Sequence, residues 1–202
     1  MKRSRMIFFL AVMVGSVWLG GLAADARALR QDILRLHVVG NSDCVEDQTV
    51  KLQVRDAVLA TLREGMEDLT DSKQAVAYAQ RMIPKLTRVC NEVLREAGFT
   101  ETVQIYVGPE AFPQRQYDTF RLPSGIYQAL KVVIGEGNGK NWWCVVFPEL
   151  CTGATRAEFV QTAKMEGMSG SLTDSLTGER EIRFWILDQM GKLGNFLHGD
   201  SE

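Results

Sequence analysis

The sequence is poor in the features that usually announce chemistry. Among 202 residues there are two histidines, and no His-Glu-x-x-His, Cys-x-x-Cys or Gly-x-Ser-x-Gly pattern occurs. Metalloprotease, dithiol and serine-hydrolase readings are therefore left without their motifs. Neither sign of charge dominates. The 23 basic and 25 acidic residues give a formal net of −2, whereas a nucleic-acid binder needs clustered Lys and Arg to neutralise phosphates. Nor is the chain short of apolar residues, and at 46% it is unlike a disordered segment. No internal repeat is visible. Length and composition suffice for one well-cored domain.

The first residues are the plainest positive signal. Lys2, Arg3 and Arg5 precede an uncharged run at residues 6–22, and Ala24-Asp25-Ala26 follows. A positive end, an apolar middle and a small-x-small exit are the layout of a secretory signal. As a helix the run would be about 25 Å long, somewhat short of a ~30 Å hydrocarbon core. Gly15, Ser16, Gly20 and Gly21 weaken it further as a permanent span. Tilt and bilayer thinning nevertheless tolerate such lengths. Residues 1–26 are thus expected to be a signal peptide or an N-terminal membrane anchor, and residues 27–202 a single exported domain. Cleavage after Ala26 would remove three basic residues and one acidic one, leaving 20 and 24 and a net of −4. Such a domain has no electrostatic pull toward anionic lipid.

Past the signal, "ILRLHVVG" (33–40) reads as a strand ending in the turn cluster Gly40-Asn41-Ser42-Asp43. Asp43 and Glu46 make a capping-box-like start, and Val50, Val54, Val58 and Leu62 then recur at helical spacing until Gly65. Residues 72–97 carry a second helical pattern interrupted by Pro84, giving two helices or one kinked helix. From Glu101 the period becomes two, with Val103, Ile105 and Val107 on one face. "YDTFRLP", "IYQALKVVI" and "NWWCVVF" follow as strands whose short connections require antiparallel pairing. A short helix is expected at 155–164, a Gly/Ser/Thr loop at 166–179 and a last strand at "EIRFWIL" (181–187). The fold class is α+β: a single domain, a mostly antiparallel sheet, and helices packed on one face.

The stretch "IGEGNGKNWWCVVFPELC" (134–151) holds the main candidates for chemistry. A phosphate cradle needs Gly-x4-Gly-Lys-Ser/Thr and a following helix. Here Gly135, Gly137 and Gly139 alternate, Asn141 follows Lys140, and a strand comes next. A tight hairpin needs only glycines at positive φ, and it is the reading preferred. Cys144 as a nucleophile needs a base. His198 lies in the tail, His37 lies on the more polar face of the first strand, and Cys144 sits in a doubly apolar run that implies an inert thiol. A Cys144–Cys151 disulfide fits better, because Pro148 allows the chain to reverse between them and export permits oxidation. That small loop would contribute roughly 2–2.5 kcal/mol. Cys90 falls on an apolar helical stripe and Cys44 near a helix start; four cysteines allow three full pairings, and a fully reduced set is the competing state. Of Trp142 and Trp143, one is expected in the core and the other half-exposed beside the glycines, where an aromatic suits a partner contact. Asp43, Glu46 and Asp47 are explained by the helix start. Neither a cofactor nor a metal is expected.

"HVVGNSD" with "EDQTVKLQVRDAV", then "LPSGIYQALKVVIGEGNGKNWWCVVFPELC", together with the leading signal segment, resemble the stage II sporulation protein R family. The resemblance spans roughly residues 33–151, and "EIRFWILDQM" looks like the family's closing segment. It implies a protein made in the forespore and exported into the space between the two membranes of a sporulating bacterium. There it would trigger the membrane-embedded sigma-E processing peptidase, an aspartic protease that cleaves the pro-sigma-E precursor. On that reading the chain is a signal and no enzyme. The contact is expected near the surface turns and their neighbours: His37, Asn41, Ser42, Glu136, Asn138, Lys140, Asn141 and Trp142. The competing expectation is an exported cell-envelope enzyme, a thiol-dependent hydrolase pairing His37 with Cys44 or Cys144.

Overall fold

A computed structural model describes residues 2–117, 120–148, 170–178 and 181–198. Helix α1 (Lys2–Asp32) leads into strand β1 (Leu34–Val39), followed by helices α2 (Val45–Met66) and α3 (Ser72–Glu96). Next come β2 (Val103–Phe112), the two-residue strands β3 (Arg115–Gln116) and β4 (Arg121–Leu122), β5 (Gly125–Ile134) and β6 (Asn141–Phe147). Helices α4 (Gly170–Leu176) and α5 (Glu181–His198) follow. This is the α+β class expected, but the expectation of helices on one face is corrected: α2 and α3 cover one face of the sheet, and the end of α1 with α4 and α5 covers the other.

The main sheet has the order β2-β5-β1-β6. β2 is antiparallel to β5 and β6 is antiparallel to β1, while β1 and β5 run parallel. All six residues of β1 are buried, Arg35 and His37 included, as expected of a strand inside the sheet with both faces covered. One expectation is corrected by this order. β5 and β6 do not form a hairpin around the glycines, because β1 lies between them. The connection at 135–140 instead crosses the C-terminal end of β1, spanning two interstrand spacings of about 5 Å each. Pro109 is accommodated in β2 because β2 is an edge strand.

Alternation along β1 divides the interior in two. Leu34, Leu36 and Val38 join Val103, Leu130, Val132, Ile134, Cys144 and Val146 beneath α2 and α3. α2 contributes Val50, Val54, Val58 and Leu62, the stripe read from sequence, and α3 contributes Ala75, Ala79, Leu86, Cys90 and Leu94. Each fully buried Val or Leu stabilises this layer by roughly 1.5–3 kcal/mol. α3 runs unbroken through Pro84 as one helix.

The opposite face has its own core of Phe112, Phe120, Leu122, Tyr127, Ala129 and Val145. It is covered by the end of α1 (Leu22, Ala26, Leu29), by α4 (Leu172, Leu176) and by α5 (Phe184, Leu187). Two expectations change here. Residues 181–187 begin a helix and are not a strand, and residues 170–176, expected as loop, are helical. The helix expected at 155–164 and the loop residues 166–169 lie outside the described residues. α5 is docked by Asp188, whose carboxylate accepts from the Ser124 amide (2.9 Å) and hydroxyl (2.7 Å). At Gly191 an added Cβ would stand 1.5 Å from the Ser124 carbonyl oxygen, so the helix touches the chain there through bare backbone.

Candidate functional site

The glycine stretch closes on the turn after β1. The amide of Gly135 donates to the Thr102 carbonyl, Gly137 to Ile134, Asn138 to Asn41 and Gly139 to Gly40, at 2.8–3.1 Å. The amide of Glu136 donates to Asn41 Oδ1 (3.1 Å) and that of Lys140 to Asp43 Oδ1 (2.7 Å). Every N–H from Gly135 to Lys140 therefore has an acceptor within the chain, and none is left to cradle a phosphate. Gly135 and Gly137 take the positive φ values (57° and 68°) that the turn requires. Beneath them, buried Lys51 donates to the Lys140 carbonyl (2.9 Å) and to Gln48 Oε1 (2.6 Å). Hydrogen bonds from Ser42 hold the Asp47 carboxyl below the usual carboxylate range, against burial and together with the Asn41 amide. The N-cap of α2 is Cys44, whose Sγ accepts from the Asp47 amide, and Asp43 is committed to Lys140. The acidic cluster is thus a turn lock more than a cap.

A second set of polar side chains lies on the α5 side of the sheet. Strand register puts Tyr106, Lys131, His37 and Trp143 in one row across all four strands. The adjacent row holds Gly108 and Ala129, which are small enough for Glu110 to reach across diagonally. Glu110 Oε1 accepts from Lys131 Nζ (2.6 Å) and meets His37 Nδ1 at 2.8 Å. The other ring nitrogen of His37 meets Asn141 Oδ1 at 2.8 Å, and its face stacks on Trp143 at 3.7 Å between centroids. Both ring nitrogens of His37 are thus engaged by side chains from neighbouring strands. Burial raises the Glu110 carboxyl, but His37 and Lys131 outweigh it and keep the group below its ordinary value.

This row floors a groove of about 1140 Å³ walled by β2, Arg115 and the end of α5. Three buried polar atoms on its lining have no hydrogen-bond partner among the described residues: Glu110 Oε2, Trp143 Nε1 and Asn195 Oδ1. Unsatisfied buried polar groups in a concave site are what a ligand or partner would complete. Beside them Arg35, also fully buried, lies over the Phe112 ring at 3.9 Å and donates to Tyr117 Oη (2.8 Å). Burial pulls its guanidinium below the ordinary arginine value, opposed by Tyr117 and Tyr127.

Among the described residues no thiol is assembled with a base. Cys144 faces the α2/α3 side in register with Leu36, whereas His37 points to the opposite face. Cys144 is disulfide-bonded; Cys151, its expected partner, lies outside the described residues. Cys44 and Cys90 are free, and burial pushes the Cys90 thiol up to about 12, which makes it inert. Among the described residues no group of three or more His, Cys, Asp or Glu is placed to hold a metal.

The eight residues expected at a contact therefore fall into three places. Asn41, Ser42, Glu136, Asn138 and Lys140 come together at the turn lock. His37 and Asn141 pair on the groove floor. Trp142 lies on the other face under the Arg55 guanidinium, 4.4 Å away. Sequence reasoning missed Glu110, because the strand was followed only to Val107. The alternation Gln104, Tyr106, Gly108, Glu110 continues past that point and would have found it.

Fold and site together describe a small α+β domain that follows an apolar N-terminal helix and carries a polar groove, with no thiol set against a base among the described residues. The chain belongs to the stage II sporulation protein R family, whose family model matches residues 30–156. It is 29% identical over 160 residues to stage II sporulation protein R of Bacillus subtilis (strain 168), covering 75% of this chain and 71% of that protein. No solved structure matches. Membership places the chain in sporulation.

Proposed function

We propose that the protein is an intercompartmental signal that activates the membrane-embedded sigma-E processing peptidase, leading to cleavage of pro-sigma-E. It is made in the forespore, exported into the space between the two membranes, and has no catalytic group of its own. The observation that carries this reading is the family match across residues 30–156. Two features of the molecule support it. The helix Ser4–Asp32 is long and apolar enough to cross a membrane, as an anchor must be, and a signal sequence near the N-terminus passes the same test. The groove offers a partner one unfilled donor, Trp143 Nε1, and two unfilled acceptors, Glu110 Oε2 and Asn195 Oδ1. The groove floor and the neighbouring turn lock form the contact surface in this proposal.

Activation then follows from differential binding: the groove must fit the active arrangement of the peptidase better than the inactive one. α1 is retained as an anchor. Leu22 and Ala26 are built into the core and Asp25 pairs with Arg183, so cleavage after Ala26 would take all three from the folded domain. The proposed Cys144–Cys151 bridge fixes the end of β6. Co-expression of peptidase and precursor, with and without this chain, tests the proposal: cleavage is expected to depend on the chain, and equal cleavage in both cultures would overturn it.

A further inference from the structure

Helix α5 carries apolar residues on two sides. Phe184, Leu187 and Gly191 face the domain and are buried beside Asp188. Ile182, Trp185, Leu193, Phe196 and Leu197 are 60–75% exposed. At 100° per residue this second set falls in a sector of about 120°, opposite the buried one. Exposed apolar residues scattered singly need no explanation, but five large ones in one stripe do. The helix cannot roll to hide them. Asp188 is held by Ser124, and the Gly191 backbone is pressed against the Ser124 carbonyl.

What covers the stripe is indicated by α1. The apolar run of α1 ends at Leu22, and Asp25, three residues further on, pairs with Arg183 near the start of α5. Three residues of helix advance about 5 Å, so α5 begins almost level with the point where α1 leaves its apolar run. Trp185, two residues past Arg183 and exposed, is the kind of amphipathic aromatic that membrane interfaces favour. Glu181, Arg183, Asp188 and Lys192 cancel in charge, which leaves apolar burial as the attraction.

We infer that the exposed stripe of α5 lies on the lipid bilayer from which α1 emerges, so that two elements hold the domain against the membrane. The inference rests on α1 being an anchor, as proposed above. It also orients the domain. Phe196 belongs to the stripe and to the groove wall, so the groove opens beside the membrane, within reach of a membrane-embedded partner.

The test uses the full chain with Cys44→Ser, reconstituted into phosphatidylcholine/phosphatidylglycerol vesicles. Spin labels are placed at Ile182→Cys, at Leu193→Cys, or at Arg95→Cys on exposed α3 as reference. Collision with a water-soluble nickel chelate is expected to fall several-fold at positions 182 and 193 relative to 95, and collision with oxygen to rise, both unchanged in high salt. Equal nickel accessibility at all three positions would overturn the inference. So would shielding from both reagents with dipolar broadening, which marks a second copy of the chain as the occupant. Pro-sigma-E cleavage is scored separately. A chain that activates with water-exposed labels sinks this inference alone, and one with shielded labels that fails to activate sinks the proposed function alone.

Discussion

Gly139→Ala isolates the role of the glycine stretch. A Cβ at this position would stand 2.3 Å from the Ser42 carbonyl oxygen and 2.9 Å from that of Gly40. Both obstacles are backbone, so relief requires the 138–140 segment to lift from the turn. Lifting it breaks the amide hydrogen bonds of Asn138 and Gly139 and endangers that of Lys140. At about 1 kcal/mol net for each, three bonds amount to about 3 kcal/mol. The stiffer unfolded chain returns roughly 0.4–1 kcal/mol, leaving a loss of about 2–3 kcal/mol. Gly108→Ala is the matched control, since nothing lies within 4 Å of its added Cβ. The assay is urea unfolding of the full chain in detergent, followed by intrinsic fluorescence, to which two of the four tryptophans, Trp142 and Trp143, contribute from beside the turn. With m near 2 kcal/mol/M the midpoint of Gly139→Ala should drop by about 1–1.5 M, while Gly108→Ala stays at or slightly above wild type. Equal midpoints for both variants would refute the argument that these glycines are locked scaffold.

Glu110→Gln should weaken the domain by about 2 kcal/mol at neutral pH, because two charge-assisted contacts, to His37 and Lys131, lose their anion. The folded Glu110 carboxyl lies below its ordinary value of 4.5, so its contribution is present above that pH and is lost as pH falls through the lower folded value. Stability measured from pH 6 downward should therefore fall less steeply below about 4.5 in the variant than in wild type, and parallel curves would contradict the assignment. Alkylation of the native chain without reductant should modify Cys44 rapidly and Cys90 only on unfolding, and mass spectrometry counts both. Reduction should then expose two further thiols, those of the Cys144 disulfide, and no gain on reduction would contradict it. Gly191→Ala should detach α5 through its 1.5 Å clash with the Ser124 carbonyl, read as faster amide exchange in residues 181–198.

What the sequence made legible follows from where single patterns act alone. The four-residue valine spacing of α2 and the alternation of β2 each bury one face, so periodicity sufficed. α5 failed because Ile182, Phe184 and Ile186 also alternate like a strand. Its true inward positions include Asp188 and Gly191, which carry no apolar signal. The neighbours of β1 failed for another reason. Residues 135–140 can turn a hairpin or step over a strand with equal ease, and only the burial of β1 on both faces chooses. At the site, His37 was placed on the correct face. Its partner Glu110 lies 73 residues away and is brought into reach by register, which sequence spacing does not encode. The stripe Leu22, Ala26, Leu29 was visible at helical spacing but merged with the apolar run before it.

Activation by occupancy is checked by titrating the chain against reconstituted peptidase and pro-sigma-E. Cleavage rate should rise with added chain and level off near stoichiometric occupancy of the peptidase, as expected when a ligand shifts a population. Full activation by trace amounts of chain, far below the amount of peptidase, would contradict it and reveal a turnover that these residues do not explain.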